Sequence, residues 1–151
     1  MQYSNKSTSY HGWQFQPNAV SVQETLTQAV SVILNETVEL MGAGRTDTGV
    51  HAQLMYAHFD TNKEFHAATL VHKLNSYLPK DIAVFNIIAV HHDAHARFDA
   101  TQRTYQYYIH QFKDAFLNEQ SWYYPTALDL DLMNQAAAEL LQHTDFQCFS
   151  K

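Results

Sequence analysis

The chain has 151 residues, 46% of them hydrophobic and 16% charged, a composition that folds a globular domain with a substantial core and excludes disorder. Its formal charge is −6, from 9 Lys and Arg against 15 Asp and Glu, so it lacks the basic footprint usual in proteins that bind nucleic acid. One cysteine, Cys148, excludes an intrachain disulfide framework, Met1–Lys6 lacks the apolar core of a leader, and no apolar run reaches membrane-spanning length, so a soluble cytoplasmic protein without membrane contact is expected.

In chain order, Ser21-Val22-Gln23-Glu24 has the pattern of a capping box, in which Ser21 and Glu24 satisfy free backbone donors. Val22, Leu26, Ala29, Val30 and Ile33 follow at helical spacing, which predicts a helix over 21–34. Strands are predicted over Thr37–Ala43 and Gln53–Asp60. Between them lies Gly42-Ala43-Gly44-Arg45-Thr46-Asp47-Thr48-Gly49-Val50-His51-Ala52, a glycine-rich turn carrying a carboxylate and a guanidinium. Glycine lets the backbone take φ > 0 or approach a ligand closely. On such a turn Asp47 and Arg45 can face a cleft bordered by the strands. An ordinary solvated hairpin turn accounts for the same residues equally well.

Leu70, Val71 and Leu74 predict a helix over Ala67–Tyr77, stopped by Pro79. Ile82–Val90 is almost continuously apolar and reads as a buried strand. Arg103–Phe112 alternates Tyr105, Tyr107 and Ile109 with Gln106, Tyr108 and His110, the period of a strand. Leu130–Leu141 reads as a helix with Leu132, Met133, Ala136, Ala137, Leu140 and Leu141 as its apolar stripe. No repeat or linker divides the chain, so residues 1–151 are expected to form one domain. The order β-α-β-β-α-β-β-α suggests an α+β fold, a ferredoxin-like sandwich of a mainly antiparallel sheet with helices packed on one face.

Arg45 and Asp47, two positions apart on an extended turn, can project to the same side. The guanidinium could keep the carboxylate ionised or grip a phosphate, or it could form a surface salt bridge. His91, His92 and His95 cluster, with His66 and His72 nearby, but no HExxH or paired-cysteine spacing accompanies them, so they are expected to be solvated and no metal is expected. Tyr107 and Tyr123 are expected to be packing aromatics and Cys148, with no activating partner in sight, a small hydrophobe.

Five groups of segments resemble, in order, those of the bacterial tRNA pseudouridine synthase A family. Gly44-Arg45-Thr46-Asp47-Thr48-Gly49-Val50-His51-Ala52 is similar to its G-R-T-D-x-G-V-H-A signature. Tyr10-His11-Gly12-Trp13-Gln14 and Ser21-Val22-Gln23-Glu24 look like its Y-x-G-W-Q and S-V-Q-E elements. Leu74-Asn75-Ser76-Tyr77-Leu78-Pro79-Lys80-Asp81-Ile82-Ala83-Val84 resembles L-N-x-x-L-P-x-D-I-A-V. His95-Ala96-Arg97-Phe98, Ala100-Thr101 and Arg103-Thr104-Tyr105-Gln106-Tyr107 resemble H-A-R-F-x-A-T-x-R-x-Y-x-Y, and Asp145-Phe146 with Phe149 resembles D-F-x-x-F.

The resemblance implies the pseudouridine synthase fold, with Asp47 as the nucleophile that helps detach uracil from its ribose before the base rejoins through carbon. It implies that Arg45 positions the target and aids base flipping, and that Tyr105 stacks on the flipped base. His51, Arg97 and Arg103 become RNA contacts or supports behind the site, with a purely structural place in the core or on the surface equally open for each. No cofactor is implied. The implied substrate is uridine at positions 38, 39 and 40 of the tRNA anticodon stem-loop, bound by a homodimer. Two departures stand out: Asn5-Lys6-Ser7-Thr8 replaces the family's Y-D-G-[ST] turn, so the first strand is expected to be short or missing. The chain also stops at Lys151, where the family continues into a second domain of comparable size, so an N-terminal domain with weak or no activity of its own is expected. The alternative from another class is a non-catalytic RNA-binding or assembly module that retains the motif.

Overall fold

The computed structural model describes residues 1–149. Its contacts group into two units, Met1–Thr104 and Tyr105 onward. The first unit runs β1 (Gln2–Asn5), α1 (Val22–Leu34), β2 (Met41–Gly42), β3 (Ala52–His58), α2 (Ala67–Tyr77) and β4 (Ile82–Asn86). The sheet has the order β2-β3-β1-β4 and is antiparallel throughout, with Tyr3 opposite Met55 on one side and Val84 on the other. This is the ferredoxin-like β-α-β-β-α-β arrangement. One core joins Tyr3, Ala57 and Val84 of the sheet to Val22, Leu26, Val30, Leu70 and Leu74 of the helices. The other sheet face stays open: along β3, Leu54 and Tyr56 are exposed while Met55 and Ala57 turn inward.

Helix α1 starts where its cap requires, with Ser21 Oγ accepting the Glu24 N–H at 3.2 Å. It ends at Asn35, whose φ of 51° places it in the left-handed region while its N–H reaches back to the Ser31 and Val32 carbonyls. Helix α2 matches the predicted span and ends as Leu78 turns extended ahead of Pro79. On α2, the Asn75 carboxamide donates to Val84 O at 2.7 Å and accepts from Val84 N at 2.8 Å, satisfying the outer edge of β4.

Two predicted strands shrink for identifiable reasons. Only Met41–Gly42 of Thr37–Ala43 joins the ladder, because side chains take backbone groups further back: Ser31 Oγ accepts from Val38 N and Gln23 Nε2 donates to Leu40 O. Ile82–Val90 ends as a strand at Asn86 and is not continuously buried. Ile82, Val84 and Ile87 are inside, whereas Phe85, Ile88 and Val90 are exposed, since helices cover only one side of the sheet. The leading strand is present and four residues long.

The second unit contains β5 (Ile109–His110) and β6 (Trp122–Tyr123), paired in parallel, then α3 (Leu130–Leu140) and a 3-10 turn over Gln147–Phe149. The ten-residue strand predicted over Arg103–Phe112 contracts to Ile109–His110, because among the described residues only Trp122–Tyr123 pairs with it. Helix α3 falls within a residue of its predicted bounds, but none of its residues is buried. Tyr107 is 89% exposed and so is not a packing aromatic, whereas the Tyr123 ring, though partly exposed, lies 5.3 Å from that of His110; Cys148 is exposed. Among the described residues, no helix is long and apolar enough to cross a membrane.

Candidate active site

The glycine-rich segment leaves β2 at Gly42 and enters β3 at Ala52. Within it the Val50 N–H donates to Asp47 O at 3.2 Å, closing a four-residue turn. Gly49, third in that turn, has φ +81°, and Thr48 is not among the residues of positive φ, which makes the turn type II and explains the glycine.

A second loop clamps this turn from the side. Trp13 N donates to Thr46 O at 3.0 Å, and Gly12, at φ +80°, lies so close that a Cβ there would sit 2.3 Å from Thr46 O. The loop is seated on the start of α1, because Gly12 O and Trp13 O accept the Val22 and Gln23 amides at 3.2 and 3.0 Å. The Gln23 side chain then bridges outward, accepting from Phe15 N at 2.9 Å and donating to Leu40 O at 2.8 Å. The Trp13 indole stacks on Tyr3 at 5.6 Å and lies against Gly42, where a Cβ would come within 2.5 Å of the ring. Helix start, indole and two close backbone contacts thus fix where Asp47 stands.

Asp47 and Arg45 border a cavity of about 350 Å³ that His11, Gln14 and Gln16 from the Trp13 loop also line. Both side chains are exposed, and among the described residues neither makes a side-chain hydrogen bond or an ion pair. A carboxylate held in place yet without a partner is available to a solute. The surface salt bridge considered for Arg45 does not form with Asp47.

His51 closes the turn: its Nδ1 accepts the Ser7 N–H at 2.9 Å, tying the entry of β3 to the chain after β1. Arg103 reaches the other end, with Nε and Nη2 donating to Ala43 O at 3.0 and 2.6 Å and Nη2 also to Arg97 O at 2.9 Å. The Arg97 side chain is exposed, its guanidinium carbon 6.0 Å from the Phe98 ring centre. Tyr105 opens the second unit with an exposed ring.

Two residues not singled out from the sequence support this region. Gln23 was legible only as a member of the capping pattern and of the S-V-Q-E element. His58 had no signal beyond its place in a strand, yet its Nδ1 accepts the Ala96 N–H at 3.1 Å and its ring meets His95 at 4.7 Å, while His95 stacks on Phe98 at 4.1 Å. Burial, then the neighbouring His95, lowers the pKa of His58, favouring the neutral ring that this acceptor role needs. His91 pairs with Asp93 on the surface, and among the described residues no three His, Cys, Asp or Glu side chains gather as a metal site.

A ferredoxin-like sheet that presents an unpaired carboxylate and guanidinium from one clamped turn defines an α+β domain able to offer a fixed nucleophile or general base to a polar substrate. Comparison with known proteins narrows that class. Residues 8–99 match the family model described as tRNA pseudouridine synthase, and the chain belongs to that family. It is 51% identical over 144 residues to tRNA pseudouridine synthase A of Bacteroides thetaiotaomicron, covering 95% of the chain and 54% of that protein. It is 47% identical over 150 residues to the tRNA pseudouridine synthase A of Parabacteroides distasonis, covering 99% of the chain and 59% of that protein. Against that of Thermoanaerobacter sp. strain X514 the identity is 42% over 144 residues, with 94% and 59% covered. The chain therefore spans a little over half the length of these curated relatives.

Proposed function

We propose that this chain carries the catalytic aspartate of an isomerase that converts uridine to pseudouridine in tRNA, at positions 38, 39 and 40 of the anticodon stem-loop. The reading rests on one observation above the others: Asp47 lies inside the family match, on a turn fixed from four sides, with its carboxylate unpaired. The reaction breaks the N1–C1′ bond, lets the base turn, and forms a C5–C1′ bond; C5 loses a proton and N1 gains one. Nothing is oxidised and no co-reactant is consumed. A carboxylate suits this step because the anomeric carbon becomes electron-poor as the C–N bond breaks.

Arg45, on the same rim as Asp47, occupies space vacated by the target base and meets the backbone phosphate, offsetting an extrusion cost of a few kcal/mol. Arg97 offers a second exposed guanidinium to phosphate. Tyr105 offers an exposed ring of the kind on which an unstacked base rests, a contact worth about 1–3 kcal/mol. As the family resemblance implies, the enzyme acts in the cytoplasm as a homodimer, with tRNA as its partner and no cofactor.

Asp47→Asn in the complete gene product tests the reading. Conversion of uridine in a tRNA transcript is expected to be abolished while tRNA affinity is retained. Turnover in that variant removes Asp47 from the mechanism.

A further inference from the structure

We propose that Arg103 is a positioning residue for Asp47 and not an RNA contact: its guanidinium bridges the carbonyls of Ala43 and Arg97 and so sets where the Asp47 turn leaves the sheet. This rests on the reading of Asp47 as the nucleophile. Ala43 directly follows β2, and its N–H donates to Tyr56 O of β3 at 2.8 Å. Its carbonyl has no strand partner and is taken by Arg103 through two N–H groups. The residue thus has one backbone group fixed by β3 and the other by a side chain sixty positions away.

Gly44 makes the fit specific. A Cβ there would lie 3.2 Å from Arg103 Nε and 3.5 Å from its Cδ, so the arginine arm rests directly on the turn's backbone. The third bond, to Arg97 O, fastens the segment bearing Arg97 to the same guanidinium. A planar fork can hold two carbonyls at once, whereas an ammonium is a point charge on a flexible stem. Three of the five N–H groups of an arginine point along Nε and Nη2, and here they serve backbone carbonyls of this chain.

The complete gene product decides the matter with Arg103→Gln, Arg103→Lys and Gly44→Ala. Single-turnover pseudouridine formation at saturating tRNA is expected to fall about ten- to hundredfold in both arginine variants, the scale of a misplaced catalytic group. Gly44→Ala, which keeps the arginine but makes its arm give by a few tenths of an ångström, should fall in the same direction by less. In all three, tRNA affinity and the slope of log affinity against log salt stay at wild-type values. An arginine that neutralises a phosphate behaves oppositely: Arg103→Gln would lower that slope by about 1 and leave the saturated rate alone, which overturns the proposal.

Amide exchange gives an arm independent of catalysis. The Val50 and Trp13 amides, bonded to Asp47 O and Thr46 O, should exchange faster in Arg103→Gln, and unchanged exchange also overturns the proposal. If the wild-type protein makes no pseudouridine, the enzymatic reading falls while this arm still decides whether Arg103 holds the turn.

Discussion

Gly12→Ala is the substitution whose consequence can be worked most directly from the structure. At φ +80° an alanine carries a left-handed penalty of about 1–2 kcal/mol. Its Cβ would lie 2.3 Å from Thr46 O, a backbone atom that cannot rotate away, so the two loops must separate by roughly 1 Å to reach ordinary contact. That separation breaks the Trp13 N–H bond to Thr46 O, for another 0.5–1.5 kcal/mol or so. The sum is roughly 1.5–3.5 kcal/mol, which for a unit of this size lowers Tm by on the order of 10 °C. Asp47, the proposed nucleophile, follows Thr46, and a 1 Å misplacement of such a group costs about a hundredfold in rate. The assay pairs a melting curve with single-turnover kinetics on a tRNA transcript. Gly49→Ala is the control: its φ is +81° but nothing lies within 4 Å of the added methyl, so it should show the strain alone. Equal effects from the two alanines, or a wild-type rate in Gly12→Ala, would refute the idea that this glycine exists to let the loops touch.

Leu74→Ala and Leu132→Ala should separate sharply. Leu74 is fully buried in the core and its truncation is expected to cost about 2–5 kcal/mol, whereas Leu132 on α3 is 61% exposed and should stay within about 0.5 kcal/mol; equal shifts in urea midpoint would contradict the assignment of the core. His58 predicts a pH effect. Its folded pKa is lowered from the model-compound value of 6.5, so the unfolded chain binds the proton first as pH falls. Its contribution is complete above about pH 6.5 and is lost as pH drops through the lowered folded value. Urea midpoints of wild type and His58→Asn should therefore converge between pH 7.5 and pH 5; parallel curves would sink the link.

The sequence was most legible where local chemistry and packing agree. Ser21 and Glu24 announce the start of α1, and Leu70, Val71 and Leu74 with Pro79 place α2 to the residue. The turn around Asp47 was legible as a turn, but its clamp was not, because Gly12 and Thr46 lie far apart in sequence and meet only through backbone atoms. Strand patterns misled where the partner was missing or replaced. Arg103–Phe112 alternates well, yet a ladder forms only where Trp122–Tyr123 lies alongside. Period reports which residues could share a face and says nothing of what covers it, which is why α3 appears in place with its stripe uncovered.

Among the described residues, three ring nitrogens that receive backbone amides carry a consequence beyond tethering. His51 takes Ser7 N–H, His58 takes Ala96 N–H, and His95 takes the N–H groups of Arg97 and Phe98, each at Nδ1. A neutral imidazole has one hydrogen, so in all three it must reside on Nε2. The tautomer is written by the main chain and not left to solvent. On a polypeptide of formal charge −6, the main chain thus orients three rings, each with Nδ1 turned to an amide and Nε2 left to face outward from that bond.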